Sequence, residues 1–336
     1  MFQPKFDLSS KINTNLNEIE RLYGRLEGMK IPGQLLLNLE RTNLMQSVYV
    51  SNSIEGNPLT QAAVTNLILE DRIPTNRDEK EIVNYFKILK GLDQRINKPF
   101  KTSEILEIHK ELMTGVNEKI KGLIRDKQVV IGIYGQGNEV IVKHNPPFHQ
   151  MPLIENALSE LLDWSSLTDV QPILKAGIFH HQFLYIHPFE DGNGRVCRLS
   201  TALLLLKHNY LINKYFVLDD YYDVDREAYS DSLHSADIGD KTVWLEYFTD
   251  GVKYSLQSAL GRVATGMSKL TFDMRPSPKE QEALSIIQRY QQAGSSDLVK
   301  ELVITRQQAF NLLKSLTQKG FLEKKGSTKG SYYLLK

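Results

Sequence analysis

Twelve consecutive residues hold most of the chemistry this sequence offers: His187-Pro188-Phe189-Glu190-Asp191-Gly192-Asn193-Gly194-Arg195-Val196-Cys197-Arg198. An apolar helical pattern stops at Ile186, and Pro188 cannot continue it. Gly192 and Gly194 flank Asn193, so the backbone turns tightly and presents its N–H groups. A helix then opens with Arg195 and Arg198 in its first turn. A glycine-containing loop feeding a helix N-terminus is an anion cradle, through the helix dipole and the unsatisfied N–H groups. Arginines three apart share a helix face, and guanidinium groups fork onto phosphate oxygens. The pair suits a polyphosphate better than a lone carboxylate. Asp191 adds a hard oxygen beside the cradle, which suits Mg²⁺ bridging phosphates. His187 is the nearest proton acceptor, with an ordinary pKa of about 6.5. The segment reads as a metal–nucleotide site with a histidine base. A helix-end histidine or a Gly-Asn-Gly turn is common alone; the combination within twelve residues makes the reading specific.

Helices must position this loop. Apolar residues at helical spacing mark Ile12–Met29, Gln34–Ser53, Thr60–Leu69, Glu79–Gln94 and Ser103–Met113. More follow at Leu153–Trp164, Pro172–Ile186, Arg195–Lys207, Arg226–Asp237 and Val243–Val263. The stretch Lys127–Lys143 differs: two β-rich runs flank Gly135-Gln136-Gly137-Asn138, which predicts a β-hairpin. A polar, proline-containing shift near Ser268–Pro278 marks a domain boundary. Beyond it the pattern is helix, short helix, helix and hairpin: Lys279–Gln292, Ser296–Leu302, Thr305–Lys319 and a turn around Lys325–Lys329. That order resembles a winged-helix domain. The expected fold is mainly α, a helical bundle with a β-hairpin flap followed by a small winged-helix-like α/β domain. The expected domains are residues 1–100, a core over 101–265, and 277–336.

Composition narrows the function classes. The 336 residues carry 41 Lys/Arg against 40 Asp/Glu, a formal charge of +1, which excludes a whole-chain polyelectrolyte role. The tail Ser277–Lys336 has ten Lys/Arg against five Asp/Glu, so it holds +5 and the rest −4. Arg306, Lys314 and Lys319 on its third helix, with Lys324, Lys325 and Lys329 in the wing, could meet DNA phosphates. A winged helix equally serves as a partner or dimerisation module. One cysteine, Cys197, permits no internal disulfide and fits a reducing compartment. The start, MFQPKFDLSSKI, has no signal-peptide core, and no apolar run approaches the ~20 residues of a membrane span. The expectation is a cytoplasmic protein without a membrane partner.

The motif matches, at every fixed position, the signature of the Fic family: His, any, Phe, any, Asp/Glu, Gly-Asn-Gly-Arg, two any, Arg. The resemblance covers most of Gln34–Val263, including the hairpin that ends in Pro146-Pro147 and the segment Arg226-Glu227-Ala228-Tyr229-Ser230. It implies transfer of AMP from ATP to a Ser, Thr or Tyr hydroxyl of a target protein, which can be the enzyme itself, with pyrophosphate leaving. His187 is then the general base and Asp191 the Mg²⁺ ligand. Gly192, Asn193 and Gly194 cradle the α- and β-phosphates, Arg195 contacts the diphosphate and Arg198 the γ-phosphate. Val130, Ile131 and Gly132 of the flap lie along the nucleotide and align the target by strand-like pairing. Tyr229 and Asp237 sit where the family contacts the nucleoside. A homo-oligomer is compatible with this reading.

A second motif lies upstream. Ser51-Asn52-Ser53-Ile54-Glu55-Gly56-Asn57 ends a helix, with Gly56 as the stop. A glutamate at a helix C-terminus is electrostatically unfavourable and calls for a cation from elsewhere; by itself it reads as an exposed residue in a frayed turn. The Fic resemblance gives it a role. Ser51, Glu55 and Gly56 match the family's inhibitory helix, placed N-terminal in the same chain. The resemblance pairs Glu55 with Arg198, taking the γ-phosphate position. The alternatives are an enzyme that removes AMP, with Glu55 orienting water, and a binding regulator with a vestigial site.

Other signals favour structural readings. Gly132, Gly135 and Gly137 lack the Lys-Ser/Thr pair and helix of a P-loop. His180 and His181 lack a metal-ligand partner four residues on, so packing or hydrogen bonding is expected. Cys197 reads as a packed residue, and Trp244, Tyr247 and Phe248 as a core face.

Overall fold

Helix formation follows the apolar spacing and the capping residues. The computed structural model describes residues 2–134, 140–212, 214–273, 276–326 and 331–335. Helix α1 (Ser10–Gly28) starts where the Ser9 side chain accepts from the Ile12 N–H, and it buries Ile12, Ile19, Leu22 and Leu26 on one face. Then come α2 (Gly33–Ile54), α3 (Gln61–Leu69), α4 (Arg77–Lys90) and α5 (Thr102–Met113). Strands β1 (Ile131–Tyr134) and β2 (Val140–His144) pair antiparallel, Ile131 opposite His144 and Gly132 opposite Val142, with an irregularity between Ile131 and Gly132. Next are α6 (Met151–Leu167), α7 (Pro172–Ile186), α8 (Asn193–Lys207), α9 (Asp219–Val224), α10 (Arg226–Ser235) and α11 (Thr242–Asp273).

Helices α7 and α8 are buried on nearly every side. A helix buried all round belongs at the centre; α6 packs on α7, and α2, α4 and α5 pack on α8. From α11, the set Leu245, Phe248, Val252, Leu256, Ala259 and Val263, spaced by three and four, is fully buried. Trp244 is buried beside them, its indole N–H donating to the Gly177 carbonyl at 2.7 Å. This frame holds the C-terminus of α7 and the N-terminus of α8, the two ends that carry the motif. Among the described residues no helix is long and apolar enough to cross a membrane.

Several boundaries differ from the sequence reading. The helix expected over Glu79–Gln94 starts at Arg77, where Asn76 caps the Glu79 N–H, and stops at Lys90; Gly91 then leads into a 3₁₀ turn, Leu92–Arg95. The helix expected to reach Asp237 ends at Ser235 and tightens into 3₁₀ over Ala236–Ile238, closed by Gly239. Val129 and Val130 precede the strand rather than join it. Helix α8 begins two residues before Arg195. Helix α9 was not anticipated. The hairpin turn expected at Gly135–Asn138 lies outside the described residues.

The chain divides into two compact units, Met1–Val263 and Ala264–Lys336. The second contains α12 (Pro278–Tyr290), α13 (Ser295–Leu302), α14 (Arg306–Gln318) and an antiparallel pair, β3 (Leu322–Lys325) with β4 (Tyr332–Leu335). Ser277 and Glu280 form a capping box on α12, and Thr305 and Gln308 one on α14. Its own core joins Ile286, Ile287, Leu298, Leu313, Leu316 and Leu322.

Candidate active site

His187 closes α7 in the left-handed region, φ 52°, its N–H bonded to the Phe183 carbonyl at 2.9 Å. A non-glycine residue rarely adopts that conformation, so something must hold it there. Arg125 does. It is buried, and it donates from Nε to the His187 carbonyl (2.6 Å), from Nη2 to the Ile186 carbonyl (3.1 Å) and from Nη1 to the Lys127 carbonyl (2.7 Å). Its own N–H reaches the Pro188 carbonyl at 3.0 Å. The imidazole Nδ1 lies 3.3 Å from the Leu184 carbonyl. A carbonyl only accepts, so Nδ1 carries the proton and Nε2 keeps its lone pair. Burial pulls the ring's pKa down to about 4, beyond the opposing pull of the Leu184 contact. The ring is therefore neutral at pH 7, with its basic nitrogen free, the state a general base needs.

The loop after His187 is pinned from inside. The buried Asn193 amide accepts from the Phe189 N–H at 2.9 Å and donates to the Phe189 carbonyl at 2.8 Å. Its side chain thus staples the turn, and any cradling by Asn193 falls to its backbone. His109 lies flat on Phe189, ring centroids 3.8 Å apart, and its Nε2 is 3.2 Å from the Asp191 carbonyl. Gly192 caps α8 at φ 82°, a conformation that suits glycine. The first N–H groups of α8 then have no intrahelical partner.

Both motif arginines are buried and meet carboxylates. Arg195 Nη2 is 3.3 Å from Asp191 Oδ1, and its Nη1 is 3.0 Å from Glu81 Oε2. That second contact is out of line for a hydrogen bond, so Nε and Nη1 are buried donors without one. Donors left so are costly unless a ligand takes them. Asp191 Oδ2 also meets Arg77 Nη2 at 3.0 Å, and Arg77 Nε reaches Glu81 Oε1 at 3.0 Å. Arg198 donates from Nε to Ser51 Oγ (2.6 Å) and from Nη2 to the Ser51 carbonyl (2.9 Å) and Glu55 Oε1 (2.7 Å). Glu55 is the C-cap of α2, and Gly56 follows at φ 85°. The Glu55 carboxylate lies directly over Gly194, where a Cβ would collide with Oε1. A carboxylate thus sits on the first turn of α8, in the place the motif offers to an anion.

One cavity gathers Glu55, Ile131, His187, Gly194, Arg198, Tyr229 and Asp237 in its wall. Val130, Gly132, Gly192, Asn193, Arg195 and Asp191 are not among its lining residues; Val130 is exposed before β1. Tyr229 and Asp237, expected at the nucleoside, have their polar atoms engaged. The Tyr229 hydroxyl is 2.9 Å from His180 Nε2. Asp237 is taken by His144 and His234 on Oδ2 and by His181 on Oδ1. His180 is fully buried and also meets Thr201, and Cys197 is buried with its thiol on the His180 carbonyl. Arg125, His109, Glu81 and Arg77 were missed by the sequence reading, since none lies in a motif. The only local hint was the polarity of residues set among apolar neighbours.

Comparison with known proteins shows what this chain is similar to. Residues 99–205 match the Fic/DOC family model. Protein adenylyltransferase fic-1 of Caenorhabditis elegans is 27% identical over 272 residues, 77% of this chain and 50% of that protein. Protein adenylyltransferase Fic of Drosophila erecta is 32% identical over 177 residues, 49% of this chain and 32% of that protein. The chain thus spans half or less of the length of these curated relatives. Among solved structures, a Fic family protein from Desulfovibrio desulfuricans G20 superposes with a TM-score of 0.70 at 24% identity, over all of this chain and 98% of that one. Residues 134–508 of C. elegans Fic-1 give 0.62 at 22% identity, over 77% of this chain and 74% of that one. The shared signature, the helical fold and the matched residues agree: the chain carries a Fic domain.

Proposed function

We propose that this chain is a protein adenylyltransferase, transferring AMP from ATP to a Ser, Thr or Tyr hydroxyl and held in check by its own Glu55. The observation that carries the reading is the juxtaposition of His187, the first turn of α8 and Arg198 around one cavity, with Glu55 lying over Gly194. In this reading His187 Nε2 takes the proton of the attacking hydroxyl as it meets the α-phosphorus, and pyrophosphate leaves. The N-terminus of α8, the unbonded Arg195 donors and Arg198 neutralise the phosphates. The residues fit a Mg²⁺ ion: Asp191 gives one partly exposed carboxylate, and Mg²⁺ is bound by one or two carboxylates plus substrate phosphates. When bound, it would add charge neutralisation on the phosphates. The exposed Arg77 would have to release Asp191 Oδ2 for that.

Glu55 competes with the γ-phosphate for Arg198 and blocks a productive ATP pose. The same carboxylate could orient water against an AMP-modified target, so AMP removal is the second reading. The basic second unit is read as a docking module for a partner or for duplex DNA. Replacing His187 with Ala tests the main claim. AMP transfer from α-labelled ATP should fall at least a hundredfold while ATP still binds. Transfer that survives, or binding that is lost in step with it, contradicts the assigned base.

A further inference from the structure

In the wall of this cavity, three side chains from two parts of the fold converge. His144 is the last residue of β2. His234 and Asp237 lie three apart, at the end of α10 and in the 3₁₀ turn behind it. His144 Nδ1 is 2.9 Å from Asp237 Oδ2, and His234 Nδ1 is 3.2 Å from the same oxygen. The donor atoms of the three residues all lie within 4.8 Å of one another. His144 is buried and the other two are partly exposed to the cavity they line.

Hydrogen-bond accounting leaves a deficit at His144. Its Nε2 is 3.1 Å from the Tyr185 carbonyl. A carbonyl can only accept, so Nε2 holds the ring proton, and Nδ1 of the neutral ring is a lone pair. That lone pair faces a carboxylate oxygen, also an acceptor, at 2.9 Å. Two acceptors at that distance need a proton or a metal ion between them.

Three features favour the metal. Bonds of about 2.0–2.2 Å at tetrahedral angles separate neighbouring ligand atoms by roughly 3.3 Å; the His234–Asp237 spacing of 3.2 Å agrees, and the His144–Asp237 spacing of 2.9 Å is shorter. A metal-bound histidine usually donates its other ring N–H to a carbonyl or carboxylate, as His144 does to Tyr185. A ligating carboxylate is usually hydrogen-bonded in turn. Asp237 Oδ1 takes His181 Nε2 at 3.0 Å, and His181 Nδ1 takes the Lys241 ammonium at 2.7 Å. Since Lys241 donates to Nδ1, the His181 proton is on Nε2, where it serves Asp237.

We propose that His144, His234 and Asp237 form a binding site for a divalent transition metal of the Zn²⁺ type, distinct from the Mg²⁺ position at Asp191. Two imidazoles and a carboxylate suit zinc and its neighbours, whereas Mg²⁺ takes oxygen ligands. All three residues line the cavity, so a fourth ligand would come from it. The ion joins β2 of the flap to α10 and the turn behind it, so it fixes the flap's C-terminal end against that helix. This site is independent of whether AMP transfer occurs.

Cobalt provides the test, because tetrahedral Co²⁺ absorbs visible light far more strongly than octahedral Co²⁺. The full chain, stripped with chelator and dialysed, is titrated with Co²⁺ in excess Mg²⁺, which occupies oxygen-only sites. The expected result is an intense visible band that saturates at about one equivalent and is abolished by one equivalent of Zn²⁺. His234→Ala and Asp237→Asn should each weaken Co²⁺ binding at least tenfold, and His187→Ala should leave it intact. Asp237→Asn keeps the side-chain shape, and circular dichroism confirms that each variant is folded. Absence of a band in the wild-type chain overturns the proposal in favour of an imidazolium–carboxylate pair. Undiminished binding by both folded site variants overturns it equally.

Discussion

His187 depends on a residue that no motif contains. Arg125 bonds the carbonyls of His187, Ile186 and Lys127, and so holds a left-handed histidine at the end of α7. Removing the guanidinium leaves three carbonyls without this donor, and that of Ile186 is buried, which costs about 1–3 kcal/mol. Arg125→Ala should lower the melting temperature by several degrees and cut turnover at least tenfold, with a smaller change in the ATP KM. Steady-state labelling together with thermal unfolding checks this, and unchanged turnover would remove Arg125 from the positioning network. The Gly-Asn-Gly turn, the two arginines and the histidine were legible because their chemistry is local. Arg125 and His109 were not, because they act through contacts 62 and 82 positions away. Nor does a sequence reveal that the Asn193 amide is spent on Phe189.

At the scale of elements, the N-terminus of α8 and the C-terminus of α2 are complementary. The first presents unpaired N–H groups and buried guanidiniums, and the second brings a carboxylate that its own helix disfavours. Most helices were legible from apolar period and caps, as in α3 behind Thr60 and α7 from Pro172. The 3₁₀ turns after α4 and α10 were not, because they follow from local hydrogen bonds rather than from period. The six-residue α9 is too short to show a period at all. The second unit has its own hydrophobic core. A chain ending at Asp273 should keep AMP transfer within about threefold of the full chain, on the proposed reading. A loss of tenfold or more, with the truncated chain folded, would give the tail a catalytic part.

For the molecule as a whole, buried histidines set the response to acid. Burial brings His109, His181 and His187 down to about 4 and His180 well below its ordinary value. The unfolded chain binds these protons near pH 6.5, while the folded chain refuses them until about 4. Unfolding therefore takes up protons in that window, so stability rises with pH and is lost as pH falls from 7 toward 4. Asp219, raised by burial to about 6, works in the opposite sense, since the folded form holds a proton the unfolded form has released. At pH 5 the balance for these five groups is an uptake of about three protons on unfolding. Melting temperature measured from pH 8 to pH 5 should fall steeply below pH 6.5; a flat profile would contradict the neutral buried histidines.

The contact between Glu55 and Arg198 also belongs to this scale, because it joins residues 143 positions apart. The direct test is AMP transfer from α-labelled ATP by the wild type, Glu55→Gly, Arg198→Ala and the double mutant, over a range of ATP concentrations. A charge-assisted contact of about 1.5–3 kcal/mol corresponds to roughly ten- to more than a hundredfold. Glu55→Gly should raise labelling, including self-labelling, at least tenfold. Arg198→Ala should not, since it also removes the phosphate contact. The double mutant should match Arg198→Ala, the non-additivity expected of residues in direct contact. Labelling by Glu55→Gly equal to wild type at every ATP concentration would contradict the account.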